Sequence, residues 1–181
     1  LPNPEWKINK LNFGWIKGDT VNMGVGQGYL SATPIQLAYY SAFLAKKGNL
    51  DRFSFIQNTS SAKKDTFTNN NLKDEDWENI HKSMIGVIEN PKGTAGRLRK
   101  LKNYTVAAKS GTVELVSTET KEDYKTIREV EDQRDHAIII AFAPIPNPKY
   151  AISVVIENGE SGGSVAGPVA IEVLNSLIRN E

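Results

Sequence analysis

The chain has 181 residues, 39% of them apolar and 24% charged, with 22 Lys plus Arg set against 21 Asp plus Glu. That composition belongs to a folded domain able to bury a core, and a net charge of +1 excludes the basic excess of a general nucleic-acid binder. Cysteine is absent, which removes disulfides, thiol nucleophiles and thiolate metal sites, and two histidines are too few for a multi-histidine metal centre.

No apolar run approaches the ~20 residues of a membrane span; the longest, at 137–143, has strand length. The chain opens on Leu1, and Leu-Pro-Asn-Pro-Glu-Trp reads as the middle of a longer polypeptide. Residues 1–32 are rich in glycine and turn signals. A helix is predicted from Thr33, with Thr33 as N-cap, Pro34 in the first helical position and Gln36 closing a capping box. Ile35, Leu37, Ala38, Ala42, Leu44 and Ala45 form its apolar face, and Gly48 ends it. Residues 49–73 are polar and read as surface loop with some irregular or strand structure. A second helix is predicted over 74–89, where Trp77, Ile80, Met84, Val87 and Ile88 recur at helical spacing before Pro91.

The period then changes. Strands are predicted at 104–116, 137–143 and 150–157; the last two are continuous apolar runs that suggest burial on both faces, joined by a connection short enough for an antiparallel hairpin. Between the first two lie residues 117–135, eleven of them charged, read as a long loop that is either a solvated connector or a border of an active site. A C-terminal helix follows Gly167-Pro168, with Val169, Ala170, Val173, Leu174, Leu177 and Ile178 on one stripe.

Three constellations are candidates for chemistry. Gly24-Val25-Gly26-Gln27-Gly28 does not complete a dinucleotide fingerprint, because position 29 is Tyr29, so a tight turn that needs positive φ or a close backbone approach is expected there. His81 is expected on the surface of its helix, and His136 in a structural hydrogen bond. Lys109-Ser110-Gly111-Thr112 is different. A strand with a cation, two hydroxyls and a glycine offers an edge to an extended peptide ending in a carboxylate, although an exposed edge strand blunted by Lys is the plainer alternative.

Its context resembles a known family. Lys-Ser-Gly-Thr followed by a long loop, two apolar strands and a terminal helix is similar to the third motif and following region of the penicillin-binding transpeptidase domain. Gly18-Asp19-Thr20, 24–29, Ala32-Thr33-Pro34-Ile35-Gln36 and Asn90-Pro91-Lys92-Gly93-Thr94-Ala95 look like segments of its class B enzymes. Arg134-Asp135-His136, Ala141-Phe142-Ala143-Pro144 and Glu157-Asn158-Gly159 resemble the elongation-specific branch.

The resemblance implies an α+β fold: an antiparallel sheet flanked by helices. Residues 1–181 would then be the C-terminal portion of a transpeptidase domain, with 1–103 mainly helix and loop and 104–181 holding three strands and the last helix. It implies a peptidoglycan D,D-transpeptidase that crosslinks stem peptides through a serine acyl-enzyme and is acylated by β-lactams. No cofactor or metal is implied. Lys109 and Thr112 would be catalytic, and Lys109, Ser110, Gly111 and Thr112 would bind substrate. Lys109 would supply positive charge, the Ser110 and Thr112 hydroxyls would meet the substrate carboxylate, and the Thr112 backbone N–H would donate to the oxyanion. Implied partners are stem peptides, β-lactams, a membrane glycosyltransferase and elongation-complex proteins, at the periplasmic face of a bacterial inner membrane anchored by an upstream segment. The family's nucleophile, in Ser-x-x-Lys, and its Ser-x-Asn motif lie upstream of the matched region, so this chain is expected to form one wall of the site and to be inactive alone. A non-catalytic β-lactam sensor or structural module of the same fold is the alternative.

Overall fold

The computed structural model describes residues 2–51, 53–54, 66–68, 71–116 and 121–179. The chain divides into two compact units, Leu1–Thr33 and Pro34–Glu181.

The first unit departs from the turn-rich expectation by holding two helices, α1 (Pro4–Leu11) and α2 (Lys17–Gly24). Both start on local chemistry. The Asn3 side chain accepts from Trp6 N at 2.7 Å with Pro4 in the first helical position, and Asp19 Oδ2 accepts from Ile16 N at 2.7 Å. Gly26 and Gly28 have φ of 81° and 73°, the tight turn that the glycines require. A buried ion pair, Lys7 Nζ to Asp19 at 2.7 Å, ties the helices together. The Ile16 N–H and then the Lys7 ammonium hold the Asp19 carboxyl below its ordinary value of 3.8. A carboxyl lowered by folding stabilises above its ordinary value and ceases to as pH falls through the folded one. We expect the tryptophan fluorescence of this unit to change below pH 3.8, and Asp19→Asn to abolish that acid transition. An unaltered transition in the variant would remove the role given to the pair.

The second unit is built on a three-stranded antiparallel sheet in the order β3 (Thr105–Val113), β4 (His136–Ile145), β5 (Tyr150–Ile156). Lys109 pairs with Ile140, and Ile140 with Ser153. A separate hairpin pairs β1 (Asn49–Asp51) with β2 (Thr66–Thr68). Alternation along the strands divides the core into two. Val106, Ala108, Ile139 and Ala141 face one cluster with Leu98, Ile171 and Leu174, the last two from α6 (Gly167–Arg179). Ala107, Ile140 and Phe142 face the other with Leu44 of α3 (Pro34–Ala45) and Trp77 and Met84 of α4 (Asp74–Glu89). The fully buried Ser41 fastens α3 to the sheet by donating to Ala141 O at 2.9 Å.

Several expectations are corrected. His81 is buried, not on the surface: its Nε2–H donates to Leu44 O at 2.8 Å and its ring lies 5.0 Å from that of Phe142. Its neighbours Glu78 and Lys82 are polar, but the helix turns His81 onto the α3 side, where the carbonyl of Leu44 near the helix end takes this second donor beside Lys47 N. On α3, Leu44 is buried as predicted and Leu37 and Ala45 pack beside it, but Ile35 is 46% exposed and the polar Ser41 is buried. α6 buries Ala170, Ile171 and Leu174, leaving Val169, Val173 and Leu177 exposed. β4, the central strand, is buried on both faces along most of its length, whereas β5, at an edge of the sheet, is half-buried throughout. β3 ends at Val113 rather than 116. Within 117–135, where 117–120 lie outside the described residues, the segment is not all loop but holds α5 (Lys121–Glu129) and a turn of 3₁₀ helix at Glu131–Gln133.

Candidate active site

β3 is two strands in one. Val106, Ala107 and Ala108 are fully buried, with α4 packed along this half. Lys109, Gly111, Thr112 and Val113 are exposed, and Ser110 is half-buried. The change falls at the start of Lys-Ser-Gly-Thr, so β3 is open from Lys109 to its end at Val113 and closed over Val106–Ala108.

Their positions follow the pleat. Lys109 lies beside a cleft of about 540 Å³ that Lys82, Lys92, Asn90 and Thr94 also line. Three ammonium groups without an acidic side chain among the lining residues favour an anionic guest. Lys109 Nζ donates to Ser110 O. Ser110 Oγ lies 2.7 Å from Thr94 Oγ1. When Thr94 donates, Ser110 keeps its own proton for a carboxylate. The Thr112 hydroxyl donates to Glu160 O at 3.3 Å, so it meets a carboxylate only by turning away from that carbonyl.

Glycines bring the surrounding segments close. A Cβ on Gly93 would stand 2.3 Å from Val87 O, so the turn carrying Thr94 closes onto the end of α4 only without one. After β5, Gly162 packs on the paired ends of β3 and β4, where a Cβ would meet Ile138 O at 2.1 Å and Gly111 O at 2.6 Å. Gly163 abuts the Thr94 carbonyl, 2.3 Å from its own Cβ position. Gly111 is the exception. Its φ is not positive, and a Cβ there would make only ordinary contact with Ile138 Cβ at 3.7 Å.

His136 is structural as expected, accepting from Asn158 N at 2.9 Å through Nδ1. Thr94 and Glu160 are the site neighbours that sequence reasoning did not place. The Gly-Thr-Ala turn was a signal for the first, and only the folded chain reveals the second, 48 residues from its partner. Among the described residues no cluster of acidic and histidine side chains could hold a metal ion.

The Ser-x-x-Lys spacing does occur in this chain, at Ser60–Lys63 and Ser61–Lys64, within 55–65, which lie outside the described residues. It stands in a polar stretch, and no Ser-x-Asn occurs in the sequence.

A strand ending in Lys-Ser-Gly-Thr, a Gly-Thr-Ala turn bonded to it and a sheet backed by a C-terminal helix agree with what the family comparison finds. Residues 2–175 match the penicillin binding protein transpeptidase domain, and the chain belongs to that family, in its class B branch. It is 38% identical over 172 residues to the peptidoglycan D,D-transpeptidase MrdA of Acinetobacter baumannii, covering 91% of this chain and 25% of that protein. Against the protein of the same name from Haemophilus influenzae it is 32% identical over 182 residues, covering 97% of this chain and 28% of the relative. A crystal structure of Pseudomonas aeruginosa PBP2 in complex with WCK 5153 superposes with a TM-score of 0.80 at 34% identity, over 98% of this chain and 37% of that one. Helicobacter pylori PBP2 in complex with MreC gives 0.81 at 30% identity, over 98% and 30%. The chain thus spans about a quarter to a third of the length of its relatives. Among the described residues no helix is long and apolar enough to cross a membrane.

Proposed function

We propose that residues 1–181 are the C-terminal portion of the transpeptidase domain of a peptidoglycan D,D-transpeptidase, and that Lys109-Ser110-Gly111-Thr112 forms the substrate-facing wall of its active site. The observation that carries this reading is the break in β3, buried up to Ala108 and open from Lys109. The cationic cleft supports a peptide substrate ending in a carboxylate, with Lys109 as its electrostatic anchor and Ser110 as a hydroxyl donor. The Thr112 backbone N–H serves as one oxyanion donor, and the other comes from the nucleophile supplied upstream. Gly111 admits the substrate backbone: nothing among the described residues forbids a Cβ there, so the requirement comes from outside the chain.

The MrdA relatives and the H. pylori complex with MreC support a role in peptidoglycan synthesis with an MreC-like partner; in the proposal the protein acts at the periplasmic face of the membrane, beside a glycosyltransferase. Labelling with a fluorescent penicillin tests the activity. The full-length protein should be acylated stoichiometrically. The isolated 181-residue chain, by intact mass, should carry no adduct, the serines at 60 and 61 included. An adduct on the fragment would place the nucleophile within it, and an unlabelled full-length protein would favour a structural module.

A further inference from the structure

The turn that follows β5 carries a backbone conformation that the transpeptidase reading does not use. Asn158 and Glu160 have φ of 56° and 62°, a region that residues with side chains occupy only when their surroundings hold them there. Glu160 is held at each of its polar points. Its N–H donates to Asp135 O at 2.8 Å, its carbonyl accepts from Thr112 Oγ1 at 3.3 Å, and its carboxylate pairs with Arg128 Nε. The same pairing holds the Glu160 carboxyl below its ordinary range, so it is charged at neutral pH.

Arg128 is itself anchored. It lies on α5, whose Tyr124 hydroxyl donates to Asp135 Oδ2 at 2.8 Å. The Arg128 carbonyl accepts from Arg134 Nε at 2.8 Å, and its guanidinium stands 5.5 Å from the centre of the Tyr124 ring. The charged segment between β3 and β4 is therefore pinned to the turn that grips Thr112. Thr112 is the last residue but one of β3, after which the exposed residues 114–116 leave the sheet. Within the sheet Thr112 pairs with Ala137.

We propose that Arg128 and Glu160 are positioning residues: their ion pair fixes the 158–160 turn against Thr112 and so sets the direction of the Thr112 backbone N–H toward an acylating carbonyl. The inference rests on the transpeptidase reading. The side chains of the pair are 47% and 28% exposed, so it adds little to folding stability. A donor displaced by a fraction of an ångström nevertheless costs rate. Rate and stability should therefore separate.

The test uses full-length protein and a fluorescent penicillin, measuring the maximal acylation rate and the half-saturating concentration. Arg128→Ala and Glu160→Gln should each lower the maximal rate about three- to tenfold, with half-saturation and melting temperature close to the parent's. The exchanged pair, Arg128→Glu with Glu160→Arg, should recover most of the loss. Parental rates in both single variants would overturn the proposal, as would a loss confined to half-saturation or an exchanged pair no faster than the singles. A parent protein that fails to label would instead overturn the transpeptidase reading beneath it.

Discussion

Replacing Lys109 by alanine in the full-length protein should lower acylation by a labelled penicillin by about 10²–10³-fold, the usual loss when a charge or oxyanion-type contact is removed from a preorganised site. The size follows from where the residue stands. Lys109 is the first exposed residue after three that are fully buried, so the strand delivers its ammonium to the cleft at a fixed place. Lys82 and Lys92 line the same cleft but come from α4 and the turn after it, and neither is placed by the sheet. They sustain the field there without substituting for the position. Thr112→Ser should be mild, because hydroxyl and backbone N–H both survive. Parental acylation by Lys109→Ala would refute the site assignment.

Gly162→Ala should destabilise the sheet-bearing unit by at least about 3 kcal/mol, since the new methyl would overlap backbone that cannot move aside. Ile138 O and Gly111 O, at 2.1 and 2.6 Å from the Cβ position, belong to paired strands and are locked by the ladder. In a domain of this size that corresponds to a fall of about 6–12 °C in the melting temperature of this unit within the full-length protein. Gly111→Ala makes the informative contrast. Its methyl meets only a side-chain atom at 3.7 Å, so the melting temperature should hold while acylation falls, by about 10² if the substrate backbone is displaced by 1 Å. Parental melting in Gly162→Ala would mean that the turn after β5 does not press on β3 and β4. Parental acylation in Gly111→Ala would mean that no substrate backbone passes there.

The contrast between these glycines marks how much was legible beforehand. Lys109-Ser110-Gly111-Thr112 stood out because small and polar residues are anomalous in a strand that opens Val106-Ala107-Ala108. The helix at 74–89 was equally plain, since Trp77, Ile80, Met84, Val87 and Ile88 keep one period through a helix of sixteen residues. In neither case does the signal depend on distant partners. α1 was missed although Asn3 and Pro4 announce it, because the glycines and asparagines around it suggested turns. α5 was missed because its Lys121–Glu129 sequence carries almost no apolar face, and its anchoring contacts reach Asp135 and Glu160, outside the helix itself.

Legible from the chain itself were the order of the three long strands and of α3, α4 and α6 around them, the antiparallel hairpin of the two apolar strands, the Lys-Ser-Gly-Thr motif as an anomaly in its strand and, by resemblance, the family to which the chain belongs. The elements rest on periodicities and short-range chemistry that any window of the chain displays, and the family rests on the resemblance of several separated motifs in order. The tertiary structure alone decided which strand is central, and hence that β4 is buried on both faces while β5 is not. It buried His81 against Leu44 O, left Ile35 exposed and brought Glu160 to Thr112. Each of these depends on a partner dozens of residues away, and the local sequence carries no term for the free energy of a contact that exists only after the sheet has closed.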